Sequence, residues 1–221
     1  MFKEVRPKDD AEWLEMRAGL ITATDIGVLL GLNKWKSVAE LIEGKENFKP
    51  FENSYTWLGQ VLEPVVVEAT NKVLSTDFAL FEDGSRSFFM NEEVRLGATP
   101  DAGTKTTLLE CKSTKPGNYL RWAEWPPAYY LSQLYTQLMC TNRKTGYLAI
   151  LSTNLTQRDE NLNIPIHIHK IKRTKELDQI FLDTVKDFWE AYDKGKVYRV
   201  NRKRAPNIEL MLRFQTEKIY E

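Results

Sequence analysis

Asp101, Glu110 and Lys112 carry the chemistry worth asking about first, in the stretch ATPDAGTKTTLLECKS (residues 98–113). The run TTLLECK reads as a strand with Leu108, Leu109 and Cys111 as its apolar body. Strand residues two apart point the same way, about 6.6 Å apart. Glu110 and Lys112 therefore share one face, expected to point outward, while Leu109 and Cys111 face the core. Asp101 precedes a tight connection, AGTK, and a hairpin there would return it beside Glu110. Two adjacent carboxylates repel unless they are protonated or bridged by a cation. A divalent metal is the simplest solution, and all-oxygen ligands suit Mg²⁺ or Mn²⁺ rather than zinc. A neighbouring lysine would orient or help deprotonate a water near that ion. Such a set is equipped to hydrolyse a phosphodiester. Alone, the triplet reads better as a surface ion pair of little worth, and the surrounding sequence shifts the odds.

The elements that must position these residues fit an α/β (α+β) fold with a central mixed sheet flanked by helices. Residues 10–18 read as a short helix. TATDIGVLLG reads as a second, capped by Thr22 or Thr24 and closed by Gly31. Ser37-Val-Ala-Glu40 is a capping box opening a third, expected to stop at Gly44 before a loop over 45–54. A longer helix spans roughly Tyr55 to Leu74, interrupted at Pro64. Short strand-like runs follow: FALFED, RSFFM, EEVRLGAT and TTLLECK. The connector YLRWAEWPP leads to a helix from about Ala128 to Cys140, then to two strands, TGYLAILS and IPIHIHKIKR. From Thr174 to Lys194, Leu177, Ile180, Phe181, Phe188, Trp189 and Tyr192 form an apolar stripe at helical spacing, stopped by Gly195.

Length and composition bound the reading. With 42% hydrophobic residues the 221-residue chain can bury a real core. A single domain over 1–221 is expected, with a helical part at about 1–75, a sheet core at about 76–173, and a C-terminal helix and basic tail over 174–221. There is no apolar window long enough to span a membrane, and MFKEVRPKDD lacks the apolar segment of a secretory signal. Two cysteines, Cys111 and Cys140, suit a reducing cytosol and exclude a four-cysteine metal or iron–sulfur site. Thirty-one basic residues balance thirty-one acidic ones, which argues against a generic nucleic-acid coat protein. The balance is uneven, however. KIKRTK (170–175) carries four basic residues and no acid, and residues 196–221 carry seven against three. No glycine-rich phosphate loop implies ATP use.

Four ordered blocks carry a family resemblance. "TPD", eight intervening residues and "ECK" resemble the PD-(D/E)xK nuclease signature, as Pro100-Asp101 and Glu110-Cys111-Lys112. "EWLEMRAGLITATDIGVLLG" (12–31) and "WLGQVLEPVV" (57–66) resemble two blocks of the lambda-exonuclease-like (YqaJ-type viral recombinase) branch, and "YYLSQLYTQLMCTNRKTGYLA" (129–149) completes the order. The resemblance implies a restriction-endonuclease-like core. It makes Asp101, Glu110 and the Cys111 backbone carbonyl metal ligands, with Lys112 positioning and activating the attacking water. Glu63, bracketed by Gly59 and Pro64 as the motif expects, would help hold a second metal, so two Mg²⁺ ions are implied, with Mn²⁺ able to substitute. Glu68 and Glu93 read as surface acids.

The same resemblance implies a pocket for a terminal 5′-phosphate at Arg17, Thr24 and Thr99, joined by Gln133 and a second helix position. Family members carry Gln-x-Gln there; this chain has Gln133-Leu134-Tyr135, with Gln137 on the face of Gln133. The implied activity is 5′→3′ degradation of one strand of linear double-stranded DNA, leaving 3′ overhangs for recombination with a single-strand annealing protein. A toroidal homotrimer and a phage or prophage origin in the bacterial cytoplasm follow from it, and the 170–175 run and basic tail are candidates to line the trimer's channel. The alternatives are an endonuclease on branched or specific DNA, and a non-catalytic DNA-binding module. His167 and His169, with no third ligand nearby, read as the solvent side of a strand, and Trp122 and Trp125 as packing.

Overall fold

The structure, a computed structural model, describes residues 1–47, 54–81, 87–153 and 165–220. Glu82, Asp83 and Arg86, expected in strand-like runs, and most of the expected loop after Gly44 lie outside them. A short strand β1 (Lys3–Val5) leads to α1 (Asp10–Ala18), capped by the Asp9 side chain on the Glu12 N–H. Next come β2 (Ile21–Thr22), the single-turn α2 (Ile26–Leu29) and α3 (Val38–Glu46). The Ser37–Glu40 capping box opens α3 as expected. Neither Thr22 nor Thr24 caps α2. Thr22 is spent in β2, and its N–H and hydroxyl both donate to Asp25. Gly44 does not stop α3, because a mid-helix glycine costs only about 1 kcal/mol; the helix continues through Lys45 to the Asn47 cap.

The long α4 (Ser54–Leu74) runs through Pro64 without interruption. Val66, Val67 and Ala69 bury against the sheet just beyond it, and that packing outweighs one missing helix hydrogen bond. Strands β3 (Ala79–Leu80), β4 (Phe88–Asn91), β5 (Leu96–Ala98), β6 (Ala102–Gly103) and β7 (Thr107–Thr114) follow. The expected connector is largely helical, α5 (Pro116–Glu124), with Pro116 pre-organising its first turn. Then come α6 (Ala128–Cys140), β8 (Thr145–Ser152), β9 (Ile166–Lys172) and α7 (Lys175–Asp193). The basic tail, beyond the last element clear from sequence, is structured. It folds as α8 (Ala205–Phe214) and β10 (Thr216–Tyr220), an edge strand on β9.

Two sheets form: β1-β4-β5-β2, and a six-stranded sheet ordered β10-β9-β8-β7-β6-β3. The β7–β8 pair is parallel and the larger sheet is otherwise antiparallel. Strand periodicity splits β7 between two cores. Leu108 faces α6 with Leu131, Leu134 and Leu138, while Leu109 and Cys111 face α4 with Val66 and Val67. Both faces of β7 are thus covered. The face carrying Glu110 and Lys112 therefore points at α6 rather than outward.

Candidate active site

The β6–β7 hairpin does what the spacing predicts. Ala102 pairs with Leu109, so Asp101 stands one step beyond, level with Glu110. Asp101 Oδ2 accepts the Cys111 N–H at 2.8 Å, which fixes the carboxylate against the strand. Glu110 is fully buried beneath α6. Its carboxylate accepts from Gln133 Nε2 at 2.5 Å and from Gln137 Nε2 at 2.6 Å, and it forms an ion pair with Lys112. The two glutamines, four residues apart, present one helical face to the strand. Gln137 Nε2 also reaches the Thr99 carbonyl at 3.3 Å, and its Oε1 has no partner among the described residues.

The electrostatics follow from burial. Burial and then the charge of Glu110 push Asp101 well above the usual carboxylate range; Lys112 opposes this and Glu63 on α4 adds to it. Burial works against the Lys112 ammonium, yet Glu110 and Asp101 outweigh it and hold the lysine above its ordinary value. Burial and the same three carboxylates push the Cys111 thiol up, which makes it a poor nucleophile. Asp101 thus feels both Glu110 and Glu63 as repelling carboxylates, and the three offer oxygen donors to one region. Among the described residues no three such side chains close into a ready-made metal cage. A hard divalent ion that keeps several waters needs only one or two carboxylates, so the donor chemistry fits Mg²⁺ or Mn²⁺.

The residues matched to a phosphate pocket lie on the neighbouring N-terminal elements. The Arg17 guanidinium lies 4.4 Å from the Trp13 ring centre, and the Trp13 indole donates to Thr99 Oγ1 at 3.1 Å. Parallel pairing of β2 with β5 sets the turn after Thr22 beside Ala98 and Thr99. Thr24 is exposed there, its hydroxyl 2.9 Å from that of Thr22. Two cations that sequence reasoning missed stand nearby. Lys45 Nζ donates to the Arg17 carbonyl at 3.1 Å and pairs with Asp25 at 2.9 Å, and Lys36 lies 3.8 Å from Asp25. Burial would raise the Asp25 carboxyl, but Lys45, Thr22 and Lys36 hold it below its ordinary value. The Lys45 ammonium is less well served: burial lowers it by more than Asp25 restores. Lys45 was legible only as part of a loop, because the helix was expected to end one residue before it.

Tyr135 is not brought to this site. It is fully buried on the opposite face of α6, where its hydroxyl accepts the Thr174 N–H at 2.8 Å. The same hydroxyl sits within donating distance of the Thr174 carbonyl (2.7 Å) and Asp178 (2.9 Å). The helix position facing Glu110 and Thr99 is Gln137 instead. His167 and His169 are buried rather than solvent-facing, the first stacked on Tyr119 and the second 3.1 Å from the Trp122 carbonyl. In the 170–175 run, Arg173 pairs with Asp178 at 2.8 Å.

A mixed sheet covered by helices on both faces, with an Asp…Glu-x-Lys hairpin at its centre, is the fold of the PD-(D/E)xK-type alkaline exonucleases. The chain belongs to the YqaJ-like viral recombinase domain family, whose model matches residues 12–144. It is 29% identical over 150 residues to the uncharacterized protein YqaJ of Bacillus subtilis (strain 168). That match covers 63% of this chain but only 46% of the relative, so the chain spans about half the relative's length. In fold it is similar to an alkaline exonuclease (LHK-Exo) from Laribacter hongkongensis, with a TM-score of 0.64 at 19% identity over 92% of this chain and 97% of that one. It is likewise similar to a phage-related exonuclease from Haemophilus somnus 129PT, with a TM-score of 0.59 at 16% identity over 79% and 94% of the two chains. No helix among the described residues is long and apolar enough to cross a membrane.

Proposed function

We propose that the chain is a metal-dependent 5′→3′ exonuclease that degrades one strand of linear double-stranded DNA and leaves 3′ overhangs. The observation that carries this reading is the hairpin geometry: Asp101 is pinned to the Cys111 N–H at 2.8 Å, level with a buried Glu110 already paired to Lys112. Asp101, Glu110, the Cys111 carbonyl and Glu63 would hold two Mg²⁺ ions, for which Mn²⁺, another hard, oxygen-preferring cation, would substitute. When bound, such ions lower the pKa of a coordinated water and offset charge on the attacking and leaving oxygens. The chain's own groups do the rest. Gln133 and Gln137 orient Glu110, and the Lys112 ammonium orients the attacking water and offsets phosphate charge. Arg17 and Thr24, with Thr99 behind them, would receive a terminal phosphate, the guanidinium giving the directional donors.

The fold neighbours named as exonucleases, one of them phage-related, support the same direction of reading. By the family resemblance the partners would be duplex DNA ends and a single-strand annealing protein. The working form would be a trimeric ring in the bacterial cytoplasm, encoded by a phage or prophage.

Linear duplexes with 5′-phosphate or 5′-hydroxyl ends, labelled at either terminus, test this with and without Mg²⁺. Loss of nucleotides from the 5′ end, faster from phosphate and abolished without Mg²⁺, is the expected result. Cleavage of covalently closed circles would sink the exonuclease reading in favour of an endonuclease. Hydrolysis unchanged in Lys112→Ala would overturn the proposed roles.

A further inference from the structure

A groove of about 880 Å³ opens between the segment after α2 and the segment entering α8. Lys34, Trp35 and Lys36 line one wall, and Arg199 and Arg202 the other. Its two acids are committed elsewhere: Glu40 closes the capping box with Ser37, and Glu209 pairs with Arg213 at 2.7 Å. Among the described residues no carboxylate pairs with Lys34, Arg199 or Arg202, all exposed. The groove is therefore cationic within a chain of zero net charge. Trp35 is 83% exposed, yet it is held. Its backbone N–H donates to Asn33 Oδ1 at 2.8 Å, and its side chain neighbours that of Tyr129. A large exposed apolar ring in a groove with three unpaired cations, Lys34, Arg199 and Arg202, gives a base a face to stack on and its phosphates a countercharge.

The groove also connects to the chemistry. Tyr129 and Tyr130 are neighbours with ring centres 4.3 Å apart, and Lys112 Nζ lies 5.1 Å from the Tyr130 ring centre. Trp35, Tyr129 and Tyr130 thus form an aromatic row from the groove to the catalytic lysine. We propose that this row and groove bind an unpaired nucleic-acid segment contiguous with the phosphate at Lys112, Trp35 stacking on a base while Arg199 and Arg202 contact phosphates. This rests on the nuclease reading for its continuity with the cleaved phosphate. The segment it names is single-stranded because only an unstacked base offers its face to Trp35.

Binding of a labelled 5′-hydroxyl oligo(dT) to the full chain in EDTA, followed by anisotropy across KCl concentrations, separates the two components. Trp35→Ala should weaken binding about tenfold or more with its salt slope unchanged. Arg199→Ser with Arg202→Ser should lower that slope by about 1.4, the loss of two phosphate contacts on a single strand. All three side chains are exposed, and unchanged thermal melts would show the fold intact. Affinity for oligo(dT) insensitive to both changes overturns the proposal. So does dTMP competing as tightly as the oligonucleotide, which would make the groove a mononucleotide site. An equal loss for blunt duplex overturns it as well. Because no metal is present, the outcome is independent of hydrolysis. A chain that binds in this way but cleaves nothing fails the nuclease reading alone, and one that cleaves while the variants bind normally fails only this one.

Discussion

Gln137 Nε2 lies 2.6 Å from Glu110 Oε2 and 3.3 Å from the Thr99 carbonyl, so one amide ties the central carboxylate to the strand that leads into Asp101. Removing a donor from a buried carboxylate costs about 1.5–3 kcal/mol. Groups that orient metal ligands typically matter by about 10–100-fold in affinity or activity. Gln137→Leu should therefore lose stability of that order in urea and shift the Mg²⁺ dependence of hydrolysis upward. An unchanged Mg²⁺ midpoint would reduce Gln137 to a packing role.

Tyr135 sits where the family pattern would carry a second glutamine, but its hydroxyl serves the Thr174 cap of α7. Tyr135→Phe should cost about 1–3 kcal/mol, the price of an unsatisfied buried group. It should leave the ratio of rates on 5′-phosphate and 5′-hydroxyl ends unaltered. A changed ratio, read on the same labelled duplexes, would return Tyr135 to the phosphate pocket.

Asp25 and Lys45 form a buried pair that is costly to break and adds little when whole, because Lys45 loses more by burial than Asp25 restores. Asp25→Ala should destabilise by about 3–5 kcal/mol, and adding Lys45→Met should recover most of it. Urea unfolding of the single and double variants decides. No recovery in the double variant would mean that the pair stabilises on its own account.

His169 is pushed down to about 4, chiefly by burial, with the Trp122 carbonyl opposing. A histidine depressed on folding stays neutral in the native state while the unfolded chain takes up a proton near pH 6.5. Its stabilisation is thus full above about pH 6.5 and falls as the pH drops toward 4, by about 3 kcal/mol in all. His169→Gln should flatten unfolding free energy across that window. An unaltered slope would place the proton uptake elsewhere.

Much of the chain was legible from local signals. The Ser37–Glu40 box, the 128–140 helix, the 145–152 strand and the Thr174-capped helix depend on neighbours within one or two turns, and they stand as read. The errors share another origin. Gly44 and Pro64 looked like breaks because propensity counts a local cost and cannot see the packing that offsets it. The tail showed no clear element because β10 exists only through its pairing with β9, some fifty residues earlier in the chain.

The site divides along the same line. Sequence by itself determined which groups share a strand face, since a period of two puts Glu110 with Lys112 whatever surrounds them, and the short AGTK turn dictated the return of Asp101. It also determined the family, through motifs in fixed order. Only the tertiary structure decided what covers that face. Placing α6 over β7 buried Glu110 and chose Gln137 over Tyr135 as its partner, and packing α3 against α1 set Lys45 beside Arg17. It also brought residues 34–36 opposite residues 199–202 across a groove. Burial and charge pairing are sums over neighbours far apart in the chain, and no local pattern carries that sum.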